Sequence, residues 1–561
     1  MSKLPVRAWM VLWLVAGALV APISCGSKSS GSGGASGSLA GDSAAAGADS
    51  GANGGSLNTG GGAPGDAGSS TASGGGDGCP LYSARCAGSC IATSTDPQNC
   101  GACGKACAAK EVCSAGVCSS GCLPGLTVCS QTCADLDNDS TNCGGCGKAC
   151  KDGQGCAKGR CVDAVPVGPD PKTCVGGGPP IKVGTGVPMC LGNVAQTTFR
   201  WSLCSCTDLN VSAKLNTDAY DSTKGPYKPG QLGGGVGVDR DVTNWSDAVT
   251  IGGTLWVSGS GDYSSSGPPS NVNADLHLGG SWKASTPFTV AGPAFVAGAL
   301  SGVTVKGATQ QVMTVPAPCD CAANQLVPIA DIVQAHRAPN NDNDAIGLDE
   351  KALENPGAAL RLDLPCGNFY LTSIQSSLAL TIHVHGRTAL YIEGDVSDSS
   401  SLAFTLEPTA ELDVFIAGNL TTSDTFVFGS PNYPALSRLY VEGSAKMALS
   451  NDVRLGGELY APNSEQLVWS AKNDIYGSVF AGNFRASDVT SIHYDRAVLR
   501  AGDGCGGMGG EGGGGSECGS CQDCHNQACT HGVCGDCGAD SDCCAPLVCI
   551  SGSCVPQEVV K

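Results

Sequence analysis

Four small constellations carry the residue types that chemistry needs. His383-Val384-His385 places two imidazoles on one side of an extended segment, about 7 Å apart by strand geometry, a spacing that suits a metal ion. No third ligand is apparent beside them, although His336 and His493 can approach in the fold; exposed ladder residues are the alternative. Asp342-Asn-Asp344-Ala-Ile-Gly347-Leu-Asp349 offers some oxygen donors of a calcium loop. It lacks the acid before the glycine and the closing Glu of an EF-hand, so a solvated loop is the other reading. Cys521-Gln-Asp-Cys524-His525 fits the C-x-x-C-H attachment of c-type haem, but it lies in a cysteine-dense stretch where chance matches are easy. The expectation is no cofactor, with Ca²⁺ left open. Asp395, Asp398, Asp413 and Asp424 complete the set. Paired acids about 5–10 Å apart would suit glycoside hydrolysis, but the sequence does not pair them. Without a G-x-S-x-G elbow or an H-E-x-x-H helix, no catalytic residue is assigned.

The elements that must position these groups repeat. Alternating apolar residues followed by a small residue and a glycine recur at Leu255–Gly259, Leu276–Gly279, Phe295–Gly298 and Val303–Gly307. They return at Leu390–Gly394, Val414–Gly418, Leu439–Gly443 and Val479–Gly482. A strand and turn every roughly 20–25 residues mark a solenoid whose coils bury one another. In Ala379–His385, Leu380, Ile382 and Val384 point one way, and Thr381, His383 and His385 the other. Glycine after each strand suits a corner at positive φ. Residues 329–354 interrupt the pattern, with Asp349–Glu354 a candidate short helix.

Cysteine spacing is the most specific signal. Cys79, Cys86, Cys90, Cys100, Cys103, Cys107, Cys113 and Cys118 are followed by Cys122, Cys129, Cys133, Cys143, Cys146, Cys150, Cys156 and Cys161, each offset by 43 residues. Asn99-Cys-Gly-Ala-Cys-Gly-Lys-Ala-Cys107 is nearly repeated as Asn142-Cys-Gly-Gly-Cys-Gly-Lys-Ala-Cys150. The pair is a tandem duplication that resembles the stigma-specific cysteine-rich protein family. That resemblance implies a secreted, disulfide-bonded module without known catalysis. The modules contain no histidine for zinc and no thioredoxin-like context for a redox C-x-x-C. A domain of about 40 residues needs such crosslinks to fold. Cys204/Cys206 and Cys319/Cys321 suggest themselves as neighbouring pairs in the centre. Ten more cysteines (Cys518, Cys521, Cys524, Cys529, Cys534, Cys537, Cys543, Cys544, Cys549 and Cys554) form a tail. Its Cys543-Cys544 followed by C-x₄-C resembles knottin-like and colipase/dickkopf-like modules.

From Leu364 to Tyr494, phrases such as Leu459-Tyr-Ala-Pro-Asn463 and Ser491-Ile-His-Tyr-Asp495 are similar to an uncharacterised β-solenoid domain of bacterial surface and pilus-associated proteins. The expected fold is all-β, a right-handed parallel β-helix flanked by small disulfide-rich modules and Gly/Ser linkers.

At the N-terminus, Lys3 and Arg7 precede an apolar run from Ala8 to Ile23, the pattern of an export signal rather than a spanning helix. Ile23-Ser24-Cys25-Gly26 resembles the bacterial lipobox, with Pro22 where a Leu is usual. That resemblance implies a lipidated Cys25, with cleavage after Ala18 and free secretion the alternative. Without Cys25, 34 of the 35 cysteines remain, an even number. The expected organisation is a signal peptide (1–25), a Gly/Ser/Ala stalk (26–78) too polar to bury a core, cysteine repeats at 79–118 and 122–161, and a linker (162–194). A solenoid (195–505), a Gly-rich linker (506–517) and the tail module (518–561) follow. A net charge of −19 sets nucleic-acid binding aside. Taken together, the chain resembles a bacterial (myxobacterial-type) surface lipoprotein held at the outer membrane, with polysaccharide or surface proteins as candidate partners. A non-enzymatic role in adhesion, scaffolding or envelope organisation is the leading expectation. A polysaccharide lyase or hydrolase, and a cysteine-module signalling protein, are the rivals.

Overall fold

The computed structural model describes residues 82–168 and 191–501, apart from breaks at 246, 264–268, 450 and 472–473, and four short strands between 528 and 556. The fold is mostly β, with a disulfide-rich module at its N-terminal side. The expected signal peptide, Cys25, the stalk, Cys79, Cys518, Cys521, Cys524, His525, Cys537, Cys543 and Cys544 lie outside the described residues.

Strands pair in parallel with the strand one coil away. Leu360–Leu364 lies against Leu380–Val384, which lies against Ser401–Leu406, and that against Thr425–Gly429. Each strand therefore repeats its neighbour's in/out alternation, and Leu362, Ile382 and Phe404 form a continuous buried row. Burial of each such side chain contributes about 1.5–3 kcal/mol. A second row of strands runs Gly367–Leu371, Thr388–Ile392, Leu412–Ile416 and Ser437–Val441. A third, of three-residue strands, runs Ile374–Ser376, Val396–Asp398 and Leu420–Thr422.

The stacking order departs from chain order. The last strand of the second cysteine module, Arg160–Ala164, pairs with Leu360–Arg361 at the start of the later coils. At their other end, Ile475–Ala481 and Thr490–Asp495 pair with Leu203–Ser205 and Leu215–Tyr220. The coils from 203 to 311 thus continue a stack begun by those from 360 to 495. Residues 160–164, at the edge of the expected linker, are part of this sheet, and Leu191–Thr198 forms a helix.

The corner glycines do not serve positive φ. Gly394, Gly418 and Gly443 are absent from the left-handed region among the described residues. Instead a Cβ on Gly418 would lie 2.5 Å from the backbone of Gly394, and one on Gly443 2.6 Å from the carbonyl oxygen of Gly418. Coil packs on coil at the corner, and only a missing side chain permits that approach.

Residues 329–354 form a side insertion. Helix Ile329–Ala335 covers the outward face of the second row, where Tyr391, Phe415, Tyr440, Tyr460 and Phe480 stack as a ladder. Phe415 and Tyr440 lie with ring centroids 4.7 Å apart, and His336 stacks on Tyr391 at 3.8 Å. This cover buries strand residues on both faces, so alternation is lost from the burial of Thr388–Ile392. The expected helix at Asp349–Glu354 is a turn; helical residues are instead Asn343–Ile346, ending at left-handed Gly347.

In the cysteine modules the duplication extends to connectivity. Cys122–Cys133, Cys129–Cys146, Cys143–Cys156 and Cys150–Cys161 close the second module. Cys86–Cys103, Cys100–Cys113 and Cys107–Cys118 match them in the first, and Cys90 is also disulfide-bonded. Asn99 and Asn142 explain the repeated Asn-Cys-Gly. Each side-chain oxygen accepts from a glycine N–H five residues on (2.8 Å), and each amide donates to the preceding Asp96 or Asp139. In the tail, Cys529 faces Cys534 and Cys549 faces Cys554 across short antiparallel strands.

The neighbouring pairs suggested for the centre are corrected. Cys204 bonds Cys319 and Cys206 bonds Cys321, with Cα–Cα distances of 5.9 and 5.5 Å. Residues i and i+2 on a strand are about 7 Å apart, beyond ordinary disulfide reach. The two bonds therefore pin the segment following the earlier coils back onto their first strand.

Candidate functional site

A cleft of ≈ 1040 Å³ lies between the second cysteine module and the first row of strands. Its floor takes residues from six successive strands, from Arg361 and Asp363 through His383, Thr405, Val427 and Arg454 to Tyr476. At about 4.8 Å per strand that floor is roughly 24 Å long. The opposite wall comes from Pro124–Leu126 and from 138–142 and 149–154 of the module.

Both walls are tied together. Arg361 donates from Nη1 to the Asn138 carbonyl oxygen (2.7 Å) and from Nε to Asp363 (3.0 Å). Arg454 bridges Asp452 and Asp137 of the module. Lys158 reaches Asp424 at 2.6 Å. Away from the cleft, Tyr82 of the first module donates to Asp495, and Ser222 shares that carboxylate.

At one end of the cleft His383 and His385 meet Glu407. Glu407 Oε1 is 3.5 Å from both His383 Nε2 and His385 Nδ1. The remaining ring nitrogens have partners: His383 Nδ1 lies 2.8 Å from Thr405 Oγ1, and His385 Nε2 lies 3.1 Å from Asp363 Oδ1. Thr405 donates its own proton to the Ile382 carbonyl oxygen. The imidazole planes are nearly perpendicular, with centroids 4.9 Å apart. Both rings are mostly covered, at 13 % and 12 % exposure, while Glu407 is 45 % exposed toward the cleft.

Charges follow from this geometry. Burial pulls His383 below the ordinary imidazole range. Burial also opposes charge on His385, but its hydrogen bond to Asp363 and the nearby Glu407 carboxylate outweigh that and push the ring up to about 9. The two histidines that face it hold Glu407 well below the usual carboxylate range. Asp363, despite its burial, is held low by His385 and Arg361.

The expected third ligands are elsewhere. His336 bonds the Ile332 carbonyl oxygen and stacks on Tyr391; His493 lies between Asp218 (2.7 Å) and Asp474 (3.5 Å) beneath Tyr227. Nor are His383 and His385 exposed ladder residues, because the cysteine module covers them.

The four nominated aspartates do not converge. Asp395 accepts from Asn419 on an exposed turn, and Asp424 binds Lys158. Asp398 accepts from the Ser400 N–H, and its burial pushes it up to about 6. Asp413 is buried in a cluster with Glu411 and Arg438. Asp342 does not form a calcium loop: its carboxylate accepts from the Asn368 N–H (2.7 Å). Neither Asp342 nor Asp344 joins a convergent group of three ligands among the described residues.

Asp363, Thr405 and Glu407 were not singled out from the sequence. One signal does point to them: Asp363 and Glu407 each stand 22 residues from His385, one coil before and one after.

Two families match parts of the chain. Residues 69–121 and 122–178 match the stigma-specific STIG1-like protein family. Residues 325–500 match a domain of unknown function, DUF7305. No curated protein and no solved structure matches the chain. The STIG1-like match and the many disulfides point to an exported protein. The cleft is formed where the second STIG1-like segment meets the DUF7305 segment.

Proposed function

We propose that this is a non-enzymatic, lipid-anchored surface protein that binds an extended polar polymer, most simply a polysaccharide, in the cleft beneath its second cysteine module. The carrying observation is the cleft's length: about 24 Å of floor across six strands. Arg454, Asn142 and Asp152 line it with planar hydrogen-bonding groups, over a floor in which Arg361 and Tyr476 are largely buried. Such a trough fits a chain of sugar rings better than a compact metabolite. In this reading the parallel stack is a right-handed β-helix that supplies a stiff floor, and the module supplies the opposing wall. Export through the N-terminal signal, lipidation of Cys25 and the low-complexity stalk would hold it away from an outer membrane.

The test is binding of the purified full chain to neutral and acidic polysaccharides by calorimetry. Saturable binding that weakens at least tenfold in Arg454→Ala, but not in Met313→Ala in the exposed segment after Thr309–Gln311, supports the proposal. Binding indifferent to Arg454, or none across the panel, would overturn it. The anchor is tested separately: Cys25→Ser should move the protein from the membrane to the soluble fraction.

A second reading, a polysaccharide hydrolase, draws on the gathering of Asp363, Glu407 and Arg361 in the cleft. Glycoside hydrolysis needs one carboxyl group raised so that it can donate a proton. Asp363 and Glu407 are instead held low by their neighbours, and Asp135, the lining carboxyl raised by burial, is turned to the Asp137 N–H and the Asn138 amide. Release of reducing sugar ends by purified protein would favour this reading over the first.

A further inference from the structure

The contact between Glu407 and the two histidines is poor as a set of hydrogen bonds. His383 Nδ1 lies 2.8 Å from Thr405 Oγ1, which also lies 3.4 Å from the Ile382 carbonyl oxygen. With Nδ1 carrying the proton and donating to Thr405, Nε2 turns its lone pair toward Glu407 Oε1 at 3.5 Å; with the other tautomer, Nε2–H donates there. On His385 the Nε2–H is directed at Asp363, and Nδ1 is buried without a hydrogen-bond partner, again 3.5 Å from Glu407 Oε1. Three ligand atoms thus converge within 4.8 Å of one another, and a metal ion bound there displaces any proton the rings carry between them.

We infer that His383 Nε2, His385 Nδ1 and Glu407 form a binding site for a divalent transition-metal ion of the zinc class. Tetrahedral zinc with bonds near 2.0–2.1 Å separates its ligand atoms by about 3.4 Å, close to the 3.5 Å seen from Glu407 to each ring. Two imidazoles and one carboxylate suit zinc, copper or nickel rather than calcium or magnesium. The surrounding shell is that of a metal site. Each ring's other nitrogen is oriented by Thr405 or Asp363, and Asp363 is itself clamped by Arg361. Protein supplies three donors and Glu407 borders the cleft, so the fourth position opens toward whatever occupies it. The disulfide-bonded cysteines of the modules are not competing thiolate ligands. This site stands or falls independently of the cleft's ligand.

The experiment is titration of the oxidised full-length protein, stripped of metal, with Zn²⁺ by calorimetry, and with Co²⁺ by visible absorption. One equivalent should bind, and Co²⁺ should give the d–d bands of a low-symmetry, nitrogen-containing site. Glu407→Gln and His385→Ala should each weaken binding at least 100-fold; Asp363→Asn should weaken it about 10–100-fold through the orientation of His385. Asp395→Asn, on an exposed turn, should leave affinity unchanged. Circular dichroism confirms that each variant is folded, and the Co²⁺ spectrum of the unaltered protein tests the site without any variant. Failure to bind a stoichiometric metal ion, or binding undiminished in Glu407→Gln and His385→Ala, would overturn the inference. In that case His385 is simply an imidazolium bridging Asp363 and Glu407.

Discussion

The cysteine modules and the coiled stack solve the same problem by different means. Each module of about 40 residues has little apolar interior: the buried cluster in the first is Cys100, Cys107 and Cys113 themselves. Its order comes from crosslinks and from Asp–Asn side-chain bonds to the backbone. The stack has a continuous buried core from Phe199 to Val498, in which coils cover each other's leucines, valines and aromatics. Covalent and apolar cohesion then meet in the cleft, where polar groups from both regions are left facing one another. The lesson is that neither region presents such a surface alone.

Reduction should separate the two most sharply. Losing a disulfide from a small secreted domain costs about 2–5 kcal/mol, and the modules have several apiece. We expect a reductant to abolish amide-exchange protection over residues 82–164 while the coils from 360 to 495 stay protected. Loss of both together would show that the coils, too, depend on those crosslinks.

Within the stack, the next largest effect should come from Arg438. Its guanidinium is fully buried, bonded to Asp413 at 2.7 and 2.8 Å, to Glu411 at 2.8 Å and to the Ala435 carbonyl oxygen. Arg438→Ala leaves two buried carboxylates uncompensated and should cost about 3–5 kcal/mol in denaturant unfolding. Gly418→Ala should follow, at about 1–3 kcal/mol, because its Cβ would meet the Gly394 backbone at 2.5 Å. Equal stability in that variant would show that the corners have slack.

The last effect is a slope, small at any one pH step. Burial pushes Glu458, wholly inside the stack, up to about 8 from an ordinary 4.5. The folded state keeps a proton that the unfolded chain releases, so this group's contribution is complete below about pH 4.5 and is lost as pH rises through 8. One proton gives at most about 1.4 kcal/mol per pH unit. Glu458→Gln should remove that part of the slope, read as the difference between the two proteins' unfolding free energies from pH 5 to 8. The same difference at every pH would contradict it.

Much of this was legible in the chain. The inward set Leu380, Ile382 and Val384 and the outward Thr381, His383 and His385 followed from the period of two, because a strand cannot do otherwise. The 43-residue offset of the cysteines anticipated two copies of one module. The corner glycines were visible, but their reason was misjudged. Positive φ is a local property, whereas contact with the coil below is not, and a single repeat carries no sign of it. Asp395, Asp398, Asp413 and Asp424 could not be paired from the sequence for a related reason: lying in successive coils does not put side chains in one groove. Asp413 turns to a buried arginine and Asp424 to a lysine of the module.

By itself, then, the sequence determined the repeating unit, its buried face and the covalent character of the small modules, since these depend on spacing along the chain. Only the tertiary structure decided that the coils from 203 continue those ending at 495, and that Glu407 closes on His383 and His385. It also decided that a cysteine module roofs them. Those are contacts between residues one coil or hundreds of positions apart. They are fixed by which register buries the most apolar surface, a property of the assembled stack rather than of any segment within it.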